Sequence, residues 1–397
     1  MTTSALNNLP QLLDAVNDDM VNRRHDLHAH PELSFQEFRT TEVVTQRLRE
    51  LGWELFTTPT PTGAIAKLRG ARPGQRVMLR ADIDALPVHE ERDLPYRSRY
   101  DGVMHACGHD VHTAALLGVA DLLARYRDQI AGEYTLVFQP AEEGLGGARA
   151  MIEGGFFDEH PMDYGLGVHV TSLAPVGVVA TRPGVMMSEA CAITVTLRGA
   201  GGHGAMAVAD GNVVLAVSAL APRLGEVVDG LTFEGANCAC SAGVLSAGTA
   251  NNVVPRQALL RGTIRTFTDE QVDETRSRLS ALLDEIAQRF AVTYELSFGE
   301  VAPAVRNDPF VTEVAMASAR AVVGDASVLT VPPASPSDDV SEFWRRVPGC
   351  YLFVGGAGSD GTSGMHHSPD FFVDDGALRV AAGVLTHAAL TLAEDVA

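Results

Sequence analysis

The chain has 397 residues, 46% of them hydrophobic and 20% charged, with a formal net charge of −20. That length exceeds one ordinary core and predicts two domains, and the composition is that of a folded soluble protein rather than a disordered one. The acidity, with no cluster of Lys and Arg against it, excludes a nucleic-acid-binding face, so an anionic substrate would need a local metal or arginine to overcome the overall field.

Taken in order, apolar spacing predicts a helix over 9–30, ended by Pro31, and a second over 34–51, stopped by Gly52. Strands are expected at 63–69, 76–81 and 134–139, with a helix over 109–126 between the last two and a short one over 148–154. This alternation predicts an α/β layer with a mostly parallel sheet. Composition shifts near Arg182-Pro183-Gly184. Beyond it, strand 192–198, helix 212–228, strands 238–245 and 258–267, helix 269–290 and strand 292–298 follow the βαββαβ order of a ferredoxin-like α+β sandwich. The expected organisation is a discontinuous catalytic domain, 1–183 with 300–397, carrying an inserted domain over 184–299.

Cys107, Cys191, Cys238, Cys240 and Cys350 form an odd, sparse set, which is no disulfide framework and fits a reducing compartment. The N-terminus lacks a basic segment followed by an apolar one, and no run of about 18 uninterrupted apolar residues occurs, so a cytoplasmic location is expected. The apolar tail 380–392 is interrupted by Thr386 and His387 and predicts a buried terminal helix.

The strongest local signal is Met104-His-Ala-Cys-Gly-His-Asp-Val-His112. Cys107 and His109, two apart at a loop-to-helix junction, can point a thiolate and an imidazole at one ion. Gln139-Pro-Ala-Glu-Glu-Gly144 sets two adjacent carboxylates after an apolar strand, where α/β sheets place their sites. Neighbouring residues there face different ways, so one carboxylate can bind metal while the other reaches an activated water. His169 and the His366-His367 pair offer further imidazoles. Asp82 and Asp84 alternate onto one face after a strand and suit the holding of a ligating imidazole in its tautomer. Singly, each motif has a plainer reading, such as a buried free thiol or a solvated acidic loop.

Together and in this order, the motifs resemble the M20 metallopeptidase family, in particular its M20D amidohydrolase branch of N-acyl amino acid, hippurate and auxin-conjugate hydrolases. The resemblance runs from Arg23-Arg-His-Asp-Leu-His-Ala-His-Pro-Glu-Leu33 to His367-Ser-Pro369. It implies two divalent ions, zinc before manganese, cobalt or nickel, bridged by Cys107. His109 and His169 would complete one site, and Glu143 and His367 the other. His367 is chosen over His366 because the family ligand stands two residues before the proline. Glu142 is implied as general base for a metal-activated water. His203, in Gly201-Gly-His-Gly-Ala205, is implied to reach an active site, and Asn252 and Arg265 to hold a substrate carboxylate. The resemblance also implies that the inserted domain is a lid and that the protein is a homodimer.

Two departures bear on the pocket: Met206-Ala207 where relatives carry Pro and His, and Ser337-Asp-Asp-Val340 where they often carry Ser-Glu-Asp-Phe. The expected reaction is hydrolysis of N-acyl amino acids or related small amides. A dipeptidase or carboxypeptidase would use the same site. A Cys107 nucleophile paired with His109, or a non-catalytic dimer that binds conjugates, are the readings of other type. His25, His28, His30 and Glu32 are expected to be structural, and His105 and His112 to pack beside the metal motif.

Overall fold

Leu9, Leu13, Val16, Met20 and Leu27 recur at helical spacing and bury one face of the first helix, α1 (Thr2–Ala29). The computed structural model describes residues 2–144, 146–206, 209–359, 361 and 363–394, the side chains of 2–5, 7 and 300 lying outside that description. Ala207 is among the residues outside it. The chain divides into two units: Met1–Gly184 with Arg306–Val331 and Asp339–Ala397, and Val185–Val305 with Pro332–Asp338.

The first unit contains α1, α2 (Phe38–Glu50), β1 (Glu54–Phe56), β2 (Ala64–Arg69), β3 (Arg72–Asp82), α3 (His109–Arg125), β4 (Ala131–Gln139), β5 (Tyr164–Pro175) and β6 (Val179–Thr181). It resumes with α4 (Pro309–Val323), β7 (Val328–Thr330), β8 (Gly349–Ala357) and α5 (Gly376–Ala393). Its sheet has the order β1-β2-β4-β3-β5-β8-β6-β7. The centre, β4-β3-β5-β8, is parallel, and antiparallel pairs enter at β1-β2-β4 and at β8-β6. Parallel strands must be covered on both faces. That explains why β4 and the end of β3 are almost wholly buried instead of alternating.

Helix α2 begins four residues later than the spacing predicts. Phe35 takes a left-handed φ of 59°, which breaks the helix path. The Glu32 carboxylate then accepts the amides of Arg39 (3.0 Å) and Thr40 (2.8 Å), satisfying the new N-terminus from outside. Helix α5 is long and apolar enough to cross a membrane by length and composition. Ala381, Val384, Leu385 and Leu392 are buried in the core with α3 and the sheet, so it is a core helix.

In the second unit, the strands Ala239–Ala247, Gln257–Thr266, Glu189–Arg198 and Thr293–Ala302 lie in that order, every neighbouring pair antiparallel. With the helices Val213–Leu220 and Asp269–Phe290 this is the ferredoxin-like arrangement. The helix predicted over 212–228 is α-helical only to Leu220 and continues as a 3-10 helix over Ala221–Val228. Pro222, which has no N–H to give, opens that segment. The last strand runs beyond Phe298 to Ala302 across a bulge, which carries this unit to Val305, past the expected 299. The segment Pro332–Asp338 also joins it, through Ala334 N to Met186 O (2.9 Å) and Ser188 N to Ala334 O (2.9 Å).

Candidate metal centre

The C-terminal ends of the parallel strands bring the first unit's motifs together. Strand β3 ends at Asp82, β4 delivers Glu142 and Glu143 three and four residues after Gln139, and β5 carries His169 past its last pairing with β3. Cys107 and His109 flank Gly108, which takes φ 90° before α3, and a Cβ there would stand 2.4 Å from Val170 Cγ2. Only glycine fits both the turn and that approach.

Asp84 organises both metal motifs. Its carboxylate accepts the amides of Glu142 (3.1 Å) and Glu143 (3.0 Å), and Ser34 Oγ donates to it at 2.8 Å. Its backbone oxygen lies 2.9 Å from His109 Nδ1. In the neutral ring the proton of His109 therefore sits on Nδ1, which turns the Nε2 lone pair to a cation that replaces the second proton. Upstream of the glutamates, Ala141 adopts a left-handed φ of 54° while its amide donates to Glu37 Oε1 (2.9 Å). Strained backbone of this kind gathers at functional sites because the surrounding hydrogen bonds over-determine it.

His109 Nε2 and Glu143 Oε1 lie 3.9 Å apart, both buried and without a hydrogen-bond partner among the described residues. Cys107 Sγ shares a cluster with these two atoms. A second cluster joins Cys107 to His169 Nε2 (3.5 Å) and His366 Nδ1 (3.7 Å). His169 Nδ1 faces Val170 O at 2.6 Å, so its Nε2 is also free to ligate. His367 projects to Glu143 instead, its Nε2 3.3 Å from Oε1, from a backbone held at φ 66° by its amide donating to Ala106 O (2.8 Å).

A third grouping, Asp82 with His109 and His112, is of a different nature. His112 Nδ1 meets Asp82 Oδ1 at 2.5 Å, and the Val170 amide donates to Nε2 at 2.8 Å. Both nitrogens of that ring are committed, so His112 positions the backbone beside His169 and has no lone pair for a metal. Asp82 is in turn held by Arg80 Nη1 (2.7 Å), whose Nε donates to Gln139 Oε1 (2.8 Å). His105 is buried, which pushes it down to about 4 and keeps the ring neutral.

The electrostatics fit cations. Burial opposes a charge on His109, yet Asp82, Asp84 and Glu143 raise it to about 10. Burial, then Glu143 and Glu142, push the Cys107 thiol well above its ordinary value. Both shifts report a strongly negative pocket, and the His109 imidazole, the Glu143 carboxylate, a thiol and His169 within it form a donor set suited to zinc and to related divalent ions.

His203, Asn252 and Arg265 lie in the second unit. The short strand Gly202–His203 pairs with Val253–Val254, and Gly204 N donates to Asn252 O (2.8 Å), so His203 and Asn252 share one exposed ribbon. Arg265 donates to the Ser337 hydroxyl, a residue of the departing Ser-Asp-Asp-Val motif. Asp84's hold on the two glutamate amides and His366's approach to Cys107 were not legible in the sequence beyond the bare presence of those residues.

The model of peptidase family M20/M25/M40 matches residues 78–391. The chain is 36% identical over 386 residues to thermostable carboxypeptidase 1 of Saccharolobus solfataricus, with 95% of each chain covered. It is 34% identical to N-acetylcysteine deacetylase of Bacillus subtilis, covering 95% of this chain and 97% of the relative. Among solved structures it resembles the Bacillus subtilis YXEP protein, described as a dinuclear metal-binding peptidase of the M20 family, with a TM-score of 0.81, 30% identity and coverage of 96% and 99%. Aminobenzoyl-glutamate utilization protein from Klebsiella pneumoniae aligns with a TM-score of 0.69 at 26% identity, covering 96% and 98%. With the matching motifs gathered at the ends of its parallel strands, the chain belongs to peptidase family M20/M25/M40.

Proposed function

We propose that this hydrolase removes the acyl group from N-acyl amino acids or closely related small amides, using two divalent ions. The observation that carries the reading is the pair of donor clusters that meet at the buried Cys107, one with His109 and Glu143 and the other with His169, beside the buried Glu142. Relatives named as deacetylases of N-acetylcysteine and N-acetyldiaminopimelate support the substrate class. We assign Cys107 as the shared ligand, His109 and His169 to one ion, and Glu143 and His367 to the other.

When bound, the ions polarise the amide carbonyl and bring water's pKa towards neutrality. Glu142 accepts the proton of the attacking water and delivers it to the leaving amine. His203 is the donor to the developing oxyanion. Asn252 and Arg265 receive the substrate carboxylate, the guanidinium pairing with it bidentately despite the acidic chain. The second unit acts as lid and dimerisation domain.

The test is amine release from N-acetyl, N-benzoyl and long-chain N-acyl amino acids and from dipeptides, before and after chelation. Activity should disappear with chelator and return with zinc, manganese, cobalt or nickel, and N-acyl amino acids should outpace dipeptides. Chelator-resistant turnover would overturn the metal reading. The carboxypeptidase relative favours one second reading, cleavage of C-terminal peptide bonds by the same site, and faster dipeptide turnover would establish it.

Homodimer formation draws support from the strand Ala239–Ala247. It is an edge strand, exposed along most of its length, with Val244 and Leu245 47% and 48% exposed. The adjacent helix Val213–Leu220 exposes Leu215 as well. An unblunted edge of this kind can pair antiparallel with its own copy about a two-fold axis. Val244→Lys with Leu245→Lys should therefore convert a sedimenting dimer into a monomer. A wild-type protein that sediments as a monomer at active concentration would sink the assignment.

A further inference from the structure

Two consecutive histidines approach the metal centre, but their rings are used differently. His367 turns to Glu143, while His366 Nδ1 stands 3.7 Å from Cys107 Sγ. The other nitrogen of His366 decides what that approach means. The Ser172 amide, on β5, points at His366 Nε2 across 3.4 Å. An amide N–H can only donate, so Nε2 must present its lone pair. A neutral imidazole carries a single proton, and with Nε2 accepting, that proton is on Nδ1. The nitrogen facing Cys107 is then an N–H donor and has no lone pair for a metal. The ring is kept in this pose by Phe371, at a centroid separation of 4.8 Å, and by His169 at 5.3 Å.

We infer that His366 is a positioning residue, donating Nδ1–H to the Cys107 thiolate and lying outside the metal's ligand set. A thiolate shared by two ions has lone-pair density left over, and an N–H···S contact of this length stabilises it. Outer partners of this sort orient the ligand and tune its donation. The inference accounts for why a residue so near Cys107 and His169 pairs with a backbone amide on its far side. It deepens the two-metal reading and rests on Cys107 being the thiolate ligand.

Cobalt(II) binding to the metal-stripped protein tests it, read by bound equivalents and by the thiolate-to-cobalt charge-transfer band in the near ultraviolet. Wild type, His366→Ala, His366→Asn and His367→Ala are compared. Asn places an amide N–H near the position of Nδ1 but cannot reproduce the imidazole ligand. His366→Ala and His366→Asn should both hold two equivalents, whereas His367→Ala should lose one. In His366→Ala the band should move to longer wavelength, since the sulfur lone pairs are no longer stabilised, and cobalt should bind about 10–100-fold more weakly. His366→Asn should return both towards wild type. Loss of one equivalent in both His366 variants would make His366 a ligand and overturn the inference, as would a band unmoved in His366→Ala. A wild-type complex with two cobalt ions and no thiolate band would instead remove Cys107 from the ligand set, defeating the underlying reading and the inference with it.

Discussion

Glu142→Gln should lower kcat by on the order of 10²–10⁴-fold, the range for loss of a general acid–base group, while leaving two metal equivalents bound. The structure gives the adjacent glutamates different surroundings although they share one turn. Glu143 Oε1 faces His109 and His367 and belongs to the cluster with Cys107. Glu142 is buried beside that cluster without belonging to it, and it adds to the negative field on the Cys107 thiol. Gln keeps the shape of the side chain and its capacity to hydrogen-bond but cannot take a proton from water at neutral pH. Glu143→Gln is the contrasting variant: it should lose metal, and with it activity. The two effects separate when metal content and turnover are measured on the same samples. Glu142→Gln with turnover within a few-fold of wild type would end its assignment as base. Loss of metal in Glu142→Gln and not in Glu143→Gln would reverse the two roles.

The first unit's parallel layer was readable because buried strands between amphipathic helices leave a strong periodic trace. The ferredoxin-like order of the second unit was equally legible, since each strand and helix keeps its own period. What the pattern could not supply was non-local. The start of α2 depends on Glu32 reaching the amides of Arg39 and Thr40, and the last strand's extension depends on pairing with the start of Glu189–Arg198. The same holds at the site. Spacing puts Cys107 and His109 together because two residues at a helix start are bound to be neighbours. Asp84 and the glutamate amides are 58 and 59 residues apart, and only strand order joins them. His366 and His367 are alike in sequence, and their division of labour arises from a left-handed turn and one backbone amide on β5.

Arg24→Met should destabilise the metal-free protein by about 3–5 kcal/mol, the cost of stranding one partner of a buried ion pair. Arg24 is 1% exposed, and its Nε lies 3.0 Å from Asp110 Oδ2, in the first turn of α3 and next to His109. Its Nη1 donates to Asp375 (2.6 Å) and to the Tyr96 hydroxyl (3.2 Å). His28 bridges the same carboxylate, with Nδ1 2.9 Å from Asp110 and Nε2 3.2 Å from Glu90. The N-terminal histidine signature thus anchors α1 to the helix that presents the metal motif. Burial alone would raise the Asp110 carboxyl, but Arg24 and then His28 overcome it and hold the group well below its ordinary 3.8. Because the folded value is depressed, this stabilisation is present above about pH 4 and is lost as pH falls below it. The gap between wild type and Arg24→Met in denaturation midpoint should therefore be full at neutral pH and narrow in acid. Adding Asp110→Asn to Arg24→Met removes the stranded charge and should recover much of the loss. A pH-independent gap, or a double variant no more stable than the single, would show that Arg24 acts by packing and not by charge.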